Sequence, residues 1–166
     1  MRTWFSLALV AALAGAAPPA TAAPSTGEQQ LKVIQSLSGS WEYKGKAGVL
    51  RDEFHPFANG TAVLGEEFMN GTQITSTIFY VVDGRLLADH YCDYKNQPFY
   101  TAAPSTDPSV IDFEFRSATN LESNPMHFHS TIWKIADSTH MTQDWDIEGG
   151  KTPHEIIHMT FVRTAG

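Results

Sequence analysis

From Trp41 onward the chain runs in short stretches where apolar and polar residues alternate, each bounded by turn residues. "QITSTIFYVV", residues 73–82, is typical: β-branched and aromatic side chains, then Asp83-Gly84. A period of two with such residues is the pattern of half-buried strands. Strands are predicted over 40–44, 48–55, 61–69, 73–82, 85–92, 98–103, 109–116, 126–135, 140–147 and 154–163. Only one segment departs from this period. Leu31, Ile34 and Leu37 recur at helical spacing, with Val33 beside them, and predict a helix over 27–36. Ser25 and Glu28 have capping-box spacing ahead of it, and Ser38-Gly39-Ser40 ends it. Residues 23–27 before the helix are small and polar, and are expected to form a loose tail.

Turn chemistry sets the architecture. Ala58-Asn59-Gly60, Asn70-Gly71, Asp83-Gly84 and Gly149-Gly150 read as hairpin junctions, because these residues accept the positive φ that tight turns demand. About ten short strands in sequential hairpins, without a crossover helix, predict an all-β fold: an up-and-down antiparallel β-barrel with a short N-terminal helix. A two-sheet sandwich is the alternative. A two-residue loop at Asp83-Gly84 pairs Val82 with Arg85, Thr77 with His90 and Phe79 with Ala88. Thr75, Thr77, Phe79, Val81, Leu86, Ala88, His90 and Cys92 then share the less charged face, which is placed inside.

The N-terminus follows another pattern. Arg2 precedes an apolar run from Trp4 to Ala17, then Pro18-Pro19 and the small-x-small site Ala20-Thr21-Ala22. Residues 1–22 are read as a secretory signal peptide, which makes the protein exported, to the periplasm or the extracellular space. The apolar run is short of the ~20 residues of a membrane span, so no transmembrane segment is expected in the mature chain. Removing 22 residues leaves 144 of 166, residues 23–166, a length suited to one domain. Arg2 goes with the leader, taking the formal charge from −7 to −8. Such a chain repels phosphate backbones and anionic membranes, so nucleic acid is not expected as a partner. Cys92 is the only cysteine, which excludes an internal disulfide and predicts a buried, inert thiol.

"LSGSWEY" after the helix, "ADHYCDYKNQP", "SATNLESNPMHFHS" and "MTQDW" together resemble exported bacterial proteins with a lipocalin-like, calycin-type barrel. The positions that carry the resemblance are His90-Tyr91-Cys92, Asn96-Gln97-Pro98, Ala118 to Leu121, His127, His129, Gln143 and Trp145. Asp89, Phe128 and Asp144 stand where that group usually has threonine, methionine and glutamate. The resemblance covers most of residues 37–163. It implies the barrel, with a tryptophan closing one end, and implies no reaction.

Seven histidines are the main chemical resource. His127 and His129 lie two apart on a predicted strand and share a face. If Asp137-Ser138 is a two-residue loop, His129 lies opposite Asp146 and Thr131 opposite Asp144. Met126, Phe128, Ile132, Met141, Trp145 and Ile147 then form the apolar face, and the histidines lie outside among carboxylates. Such a cluster reads as a hydrogen-bonded surface, and no metal ligand is assigned. A bulge would exchange the faces and could bring His127 and His129 inside with His90. "HEIIH", residues 154–158, has the letters of a zinc-protease helix but sits in a β-branched strand without a third ligand. In the acidic pairs Asp52-Glu53 and Glu66-Glu67, one member of each is expected in solvent.

Three functions fit. The first is an exported barrel that holds a small apolar or amphipathic molecule, with His90, Gln97, His127, His129 and Trp145 as candidate ligand-binding residues. The second is a metal- or haem-binding protein using His90, His127 and His129. The third is a barrel-type lyase or isomerase in which a buried histidine moves a proton.

Overall fold

The computed structural model describes residues 23–150 and 154–164. The signal-peptide assignment falls on residues 1–22, outside the described residues. A helix, α1 (Gly27–Ser36), is followed by ten strands: β1 (Gly39–Gly45), β2 (Gly48–Phe57), β3 (Ala62–Met69), β4 (Thr72–Val82), β5 (Arg85–Tyr91), β6 (Gln97–Ala102), β7 (Val110–Thr119), β8 (His127–Ile135), β9 (His140–Glu148) and β10 (Glu155–Arg163). Each strand pairs antiparallel with its neighbour in sequence, and β10 returns to β1, so the sheet closes into a barrel. This is the predicted all-β architecture rather than a sandwich. Among the described residues, no helix is long and apolar enough to cross a membrane.

The hairpins form as their residues dictate. Asn70-Gly71 and Asp83-Gly84 take positive φ at both positions, which matches the twist of the flanking strands. The Asp83-Gly84 turn gives the expected register, with Thr77 opposite His90 and Phe79 opposite Ala88.

Helix α1 plugs one end. Its cap lies one residue later than predicted: Thr26 accepts from the Gln29 backbone (3.3 Å) and Gln29 Oε1 accepts from the Thr26 backbone (2.8 Å). Ser25 is engaged elsewhere, its backbone donating to the Ser105 carbonyl at 2.7 Å. The Gly27 backbone donates to the Gly84 carbonyl at 2.9 Å. Residues 25–27 are therefore tied down, not a loose tail. Position 27 accepts no side chain, since an added Cβ would sit 2.6 Å from the Arg85 carbonyl carbon.

Below the mid-plane the barrel is filled. Phe54, Phe79, Phe113 and Trp133 meet edge-on or tilted, with centroids 5.5 to 5.8 Å apart along four contacts. Offset and edge contacts of this kind suit the ring quadrupole. A cavity lies above this layer, at the end away from α1.

Three bulges modify the strand pattern. They put an extra residue in β4 at Ile74, in β7 at Arg116 and in β8 at His129. The predicted β8–β9 register holds at His127 and Phe128, whereas from Ser130 to Ile135 it is off by one residue. The connection is longer than two residues because Asp137 Oδ1 accepts from the Thr139 and His140 backbones (2.7 and 2.9 Å) and holds a wider turn. Ser130 therefore faces Asp146 and Ile132 faces Asp144; Thr131 pairs with the inward Trp145. Met126 and Ile132, expected inside, are exposed.

Candidate functional site

The open end holds a cavity of about 390 Å³. Its rim comes from the β1–β2 turn (Lys46, Ala47), Met69 of β3, Ile74 of β4 and the β5–β6 turn (Asp93, Tyr94). Leu50, Ile157 and Met159 form apolar wall, while His90, Phe128 and Trp145 stand deeper. A concave, mostly apolar space with a few convergent polar groups is the usual form of a small-molecule site.

His90 is the central polar group. It is the sixth residue of β5 and faces inward by alternation, 1% exposed. Phe128 and Trp145 lie against it, with centroids 5.8 and 5.5 Å away. Its Nδ1 is 2.7 Å from Thr77 Oγ1, the cross-strand partner. Its Nε2 is buried and has no protein partner. Burial disfavours the imidazolium and lowers the pKa from 6.5 to about 4, so the ring is neutral at pH 7.

Two inward carboxyl groups lie on β2 and β3, and one of them, Glu67, shares the cavity wall with His90. Asp52 and Glu67 are cross-strand partners on β2 and β3. Thr75 donates to Glu67 Oε2 at 2.6 Å. Asp52 is reached through a chain of donors: Trp145 Nε1 donates to Gln143 Oε1 (2.7 Å), and Gln143 Nε2 donates to Asp52 Oδ2 (2.9 Å). Burial raises the Asp52 pKa well above the usual carboxylate value, and the neighbouring Glu67 charge adds to this. Burial also raises Glu67, with Asp93 adding and the Thr75 hydrogen bond opposing. The site thus combines a neutral imidazole with carboxyl groups that resist ionisation.

As expected, the other members of the acidic pairs face out: Glu53 meets Arg51 at 3.0 Å, and Glu66 lies 3.8 Å from His55. The meeting of Asp52 with Glu67 was not anticipated. A signal was present, because each alternates in phase with inward apolar residues: Leu50 and Phe54 around Asp52, Gly65 and Met69 around Glu67. Tyr94 and Phe128, stacked with centroids 5.4 Å apart, are further wall residues not anticipated as ligand-binding.

Of the candidate residues, His90 and Trp145 line the cavity together. Gln97 does not; it faces outward on β6, opposite Thr119. Its neighbour Asn96 is buried instead, its Nδ2 donating to the carbonyls of Asn124 (3.0 Å) and Met126 (2.7 Å) and tying two loops of the open end together. His127 and His129 also lie off the cavity, so the trio His90, His127 and His129 is not assembled. The bulge at His129 keeps both histidines on the outer side and turns Phe128 inward. Asp144 and Asp146 pair with other histidines, His158 and His154, on β10 and the segment leading into it. "HEIIH" lies along that segment and β10, in extended rather than helical backbone.

Cys92 corrects a smaller expectation. It lies past the end of β5, half-buried in the turn, rather than on the inner face beside Leu86 and Ala88. The Tyr94 backbone donates to its Sγ at 3.5 Å. Burial pushes the thiol up to about 12. The native thiol is therefore expected to react with a disulfide reagent at pH 7 at least about a hundredfold more slowly than in denaturant, since only thiolate attacks. Equal rates in the two states would overturn this.

Compared with known proteins, the chain matches no family model and no curated relative.

Proposed function

We propose that this chain is an exported small-molecule-binding barrel whose ligand is apolar or amphipathic and sits in the cavity at the open end. The observation that carries this is His90 Nε2, a buried polar atom without a partner in the wall of an apolar cavity. An unsatisfied buried donor or acceptor costs about 1–3 kcal/mol, and a ligand polar group placed against it recovers that cost. Phe128, Trp145 and Tyr94 supply aromatic contact area for the rest of the molecule. Export, and kinship with exported lipocalin-like proteins, rest on the N-terminal pattern and on the His-Tyr-Cys and Asn-Gln-Pro blocks.

The neutral fluorophore N-phenyl-1-naphthylamine tests the cavity. It is expected to bind with quenching of Trp145 emission. Met69→Arg at the rim should weaken binding at least about tenfold, because a charge then replaces apolar contact area. His90→Gln should leave probe binding largely intact, and should release the molecule that native mass spectrometry finds on protein purified from its own host. Absence of probe binding, with no co-purifying molecule, defeats the proposal.

A second reading, a barrel-type lyase or isomerase, draws on one further observation: a neutral imidazole and Glu67, whose pKa is raised by burial, face the same cavity. A neutral imidazole suits a general base, and a carboxyl group with a raised pKa suits a general acid. Chemical conversion of the co-purified molecule by wild type, and its absence in His90→Gln, would favour this reading over binding alone.

A further inference from the structure

We propose that His127, His129 and Glu148 form a binding site for one divalent transition-metal ion such as Zn²⁺, on the outer wall of the barrel and separate from the cavity. His127 Nε2 is 3.2 Å from His129 Nδ1, and His129 Nδ1 is 3.4 Å from Glu148 Oε2. One ligand atom from each of the three residues lies within 4.8 Å of the other two. Ligands bound at ~2.0–2.1 Å in tetrahedral geometry stand about 3.3 Å apart. Two edges of the required polyhedron are thus present without the ion.

Protonation supports the same assignment. His127 Nδ1 is 2.8 Å from the Pro125 carbonyl, which only accepts, so Nδ1 carries the hydrogen and Nε2 presents its lone pair toward His129. A ligating histidine is held in this way, by a hydrogen bond from its remote nitrogen to a carbonyl. His127 Nε2, His129 Nδ1 and Glu148 Oε2 gather where a proton on His129 Nδ1 could serve only one of its two neighbours. A divalent cation satisfies all three.

The surroundings hold the ligands in place. His127 is 7% exposed and lies opposite Glu148 across β8 and β9. His127 and His129, two apart, share a side by alternation, and the bulge sets that side outward with Glu148. Phe115 stacks on the His129 ring with centroids 4.5 Å apart and packs against His127 at 5.1 Å. Gly149 brings Glu148 close: its φ is +78°, and an added Cβ would lie 1.9 Å from the Pro125 carbonyl oxygen. His129 and Glu148 side chains are about a third exposed (34% and 39%), which leaves a coordination position facing solvent.

Two other clusters among the described residues are poorer. Glu53, His55 and Glu66, and likewise Asp146, Glu148 and His154, offer one imidazole each, and neither contains a buried histidine. Two imidazoles and one carboxylate suit Zn²⁺, whereas Mg²⁺ and Ca²⁺ take oxygen ligands.

Metal-stripped full-length mature protein titrated with ZnCl₂ in a calorimeter is expected to bind one equivalent at micromolar affinity or tighter, and millimolar MgCl₂ is expected to give no signal. His127 is buried, so the variants are the more exposed His129→Ala and Glu148→Gln. His129→Ala should weaken Zn²⁺ by more than about a hundredfold, beyond the 10–100-fold of outer-shell losses. Glu148→Gln should weaken it at least tenfold. Co²⁺ in place of Zn²⁺ should give the intense visible absorption of a four-coordinate site, lost in His129→Ala. His55→Ala should change nothing. No stoichiometric Zn²⁺ binding overturns the proposal, as does binding that persists in His129→Ala and disappears in His154→Ala.

Discussion

Trp41→Ala is expected to remove about 3–5 kcal/mol of unfolding free energy, the range for deleting a buried aromatic side chain. Trp41 is fully buried at the end closed by α1. Its Nε1 donates to the Leu37 carbonyl at 2.7 Å, which fixes how the chain turns from helix into β1. The Arg163 guanidinium covers its ring at 4.3 Å, and donates to the carbonyls of Ser36 (2.8 Å), Ser38 and Ser138 (2.7 Å). Trp41 and Arg163 are also cross-strand partners in the short seam between β1 and β10, which continues in the Thr164 backbone donating to the Ser40 carbonyl at 2.9 Å. Packing, cation–π contact and barrel closure therefore depend on one side chain. Trp41→Phe keeps most of the area but leaves the Leu37 carbonyl unpaired, a loss of about 1–3 kcal/mol. Urea unfolding measures both. A Trp41→Ala midpoint close to wild type would show that the seam is held by other contacts.

Wild-type protein is expected to lose about 3 kcal/mol relative to His90→Gln as pH falls from 6.5 to 4. The sign follows from where the proton binds. His90 has a folded pKa of about 4 against 6.5 unfolded. Between these values the unfolded chain binds a proton that the folded chain refuses. The contribution is thus fully present above 6.5 and declines as pH drops through the window. Asp52 and Glu67 act in the opposite direction, because their raised pKa values make the folded state bind protons that the unfolded state has released. Their contribution grows as pH falls toward the ordinary carboxylate range, and it is common to both proteins. Comparing wild type with His90→Gln at each pH removes it. Parallel stability curves for the two would mean that His90 is protonated in the folded protein or reaches solvent.

The inward placement of His90 was legible because it depends on nearby residues alone. Asp83-Gly84 admits only a tight turn, and a tight turn fixes the pairing of the six residues on either side. At β8 and β9 the same logic gave the facing of His127, His129 and Phe128 but missed the pairing of residues 130–135. Asp137 holds a wider turn, and the extra residue at His129 shifts the register by one between Phe128 and Ser130. Nothing in the local pattern separates a histidine that alternates from one that bulges. The expected His127, His129, Asp144 and Asp146 group therefore became His127, His129 and Glu148. Gln97 failed for a related reason: Asn96 takes the buried position and turns Gln97 outward.

Period-two alternation and turn residues that accept positive φ are properties of a few adjacent residues, so strand positions, most facing directions and the sequential hairpin order follow from the chain read along its length. Barrel closure is different. It brings Gln143 to Asp52 across 91 positions and Arg163 to Ser36 across 127. Such contacts depend on the accumulated twist, tilt and bulges of every intervening strand, and a one-residue slip in any of them would exchange a cavity wall for a solvent face. The buried carboxyl pair, the unpartnered nitrogen of His90 and the outer histidine–glutamate group all arise at that level, where the side chains that meet are chosen by the closed sheet rather than by their neighbours in the chain.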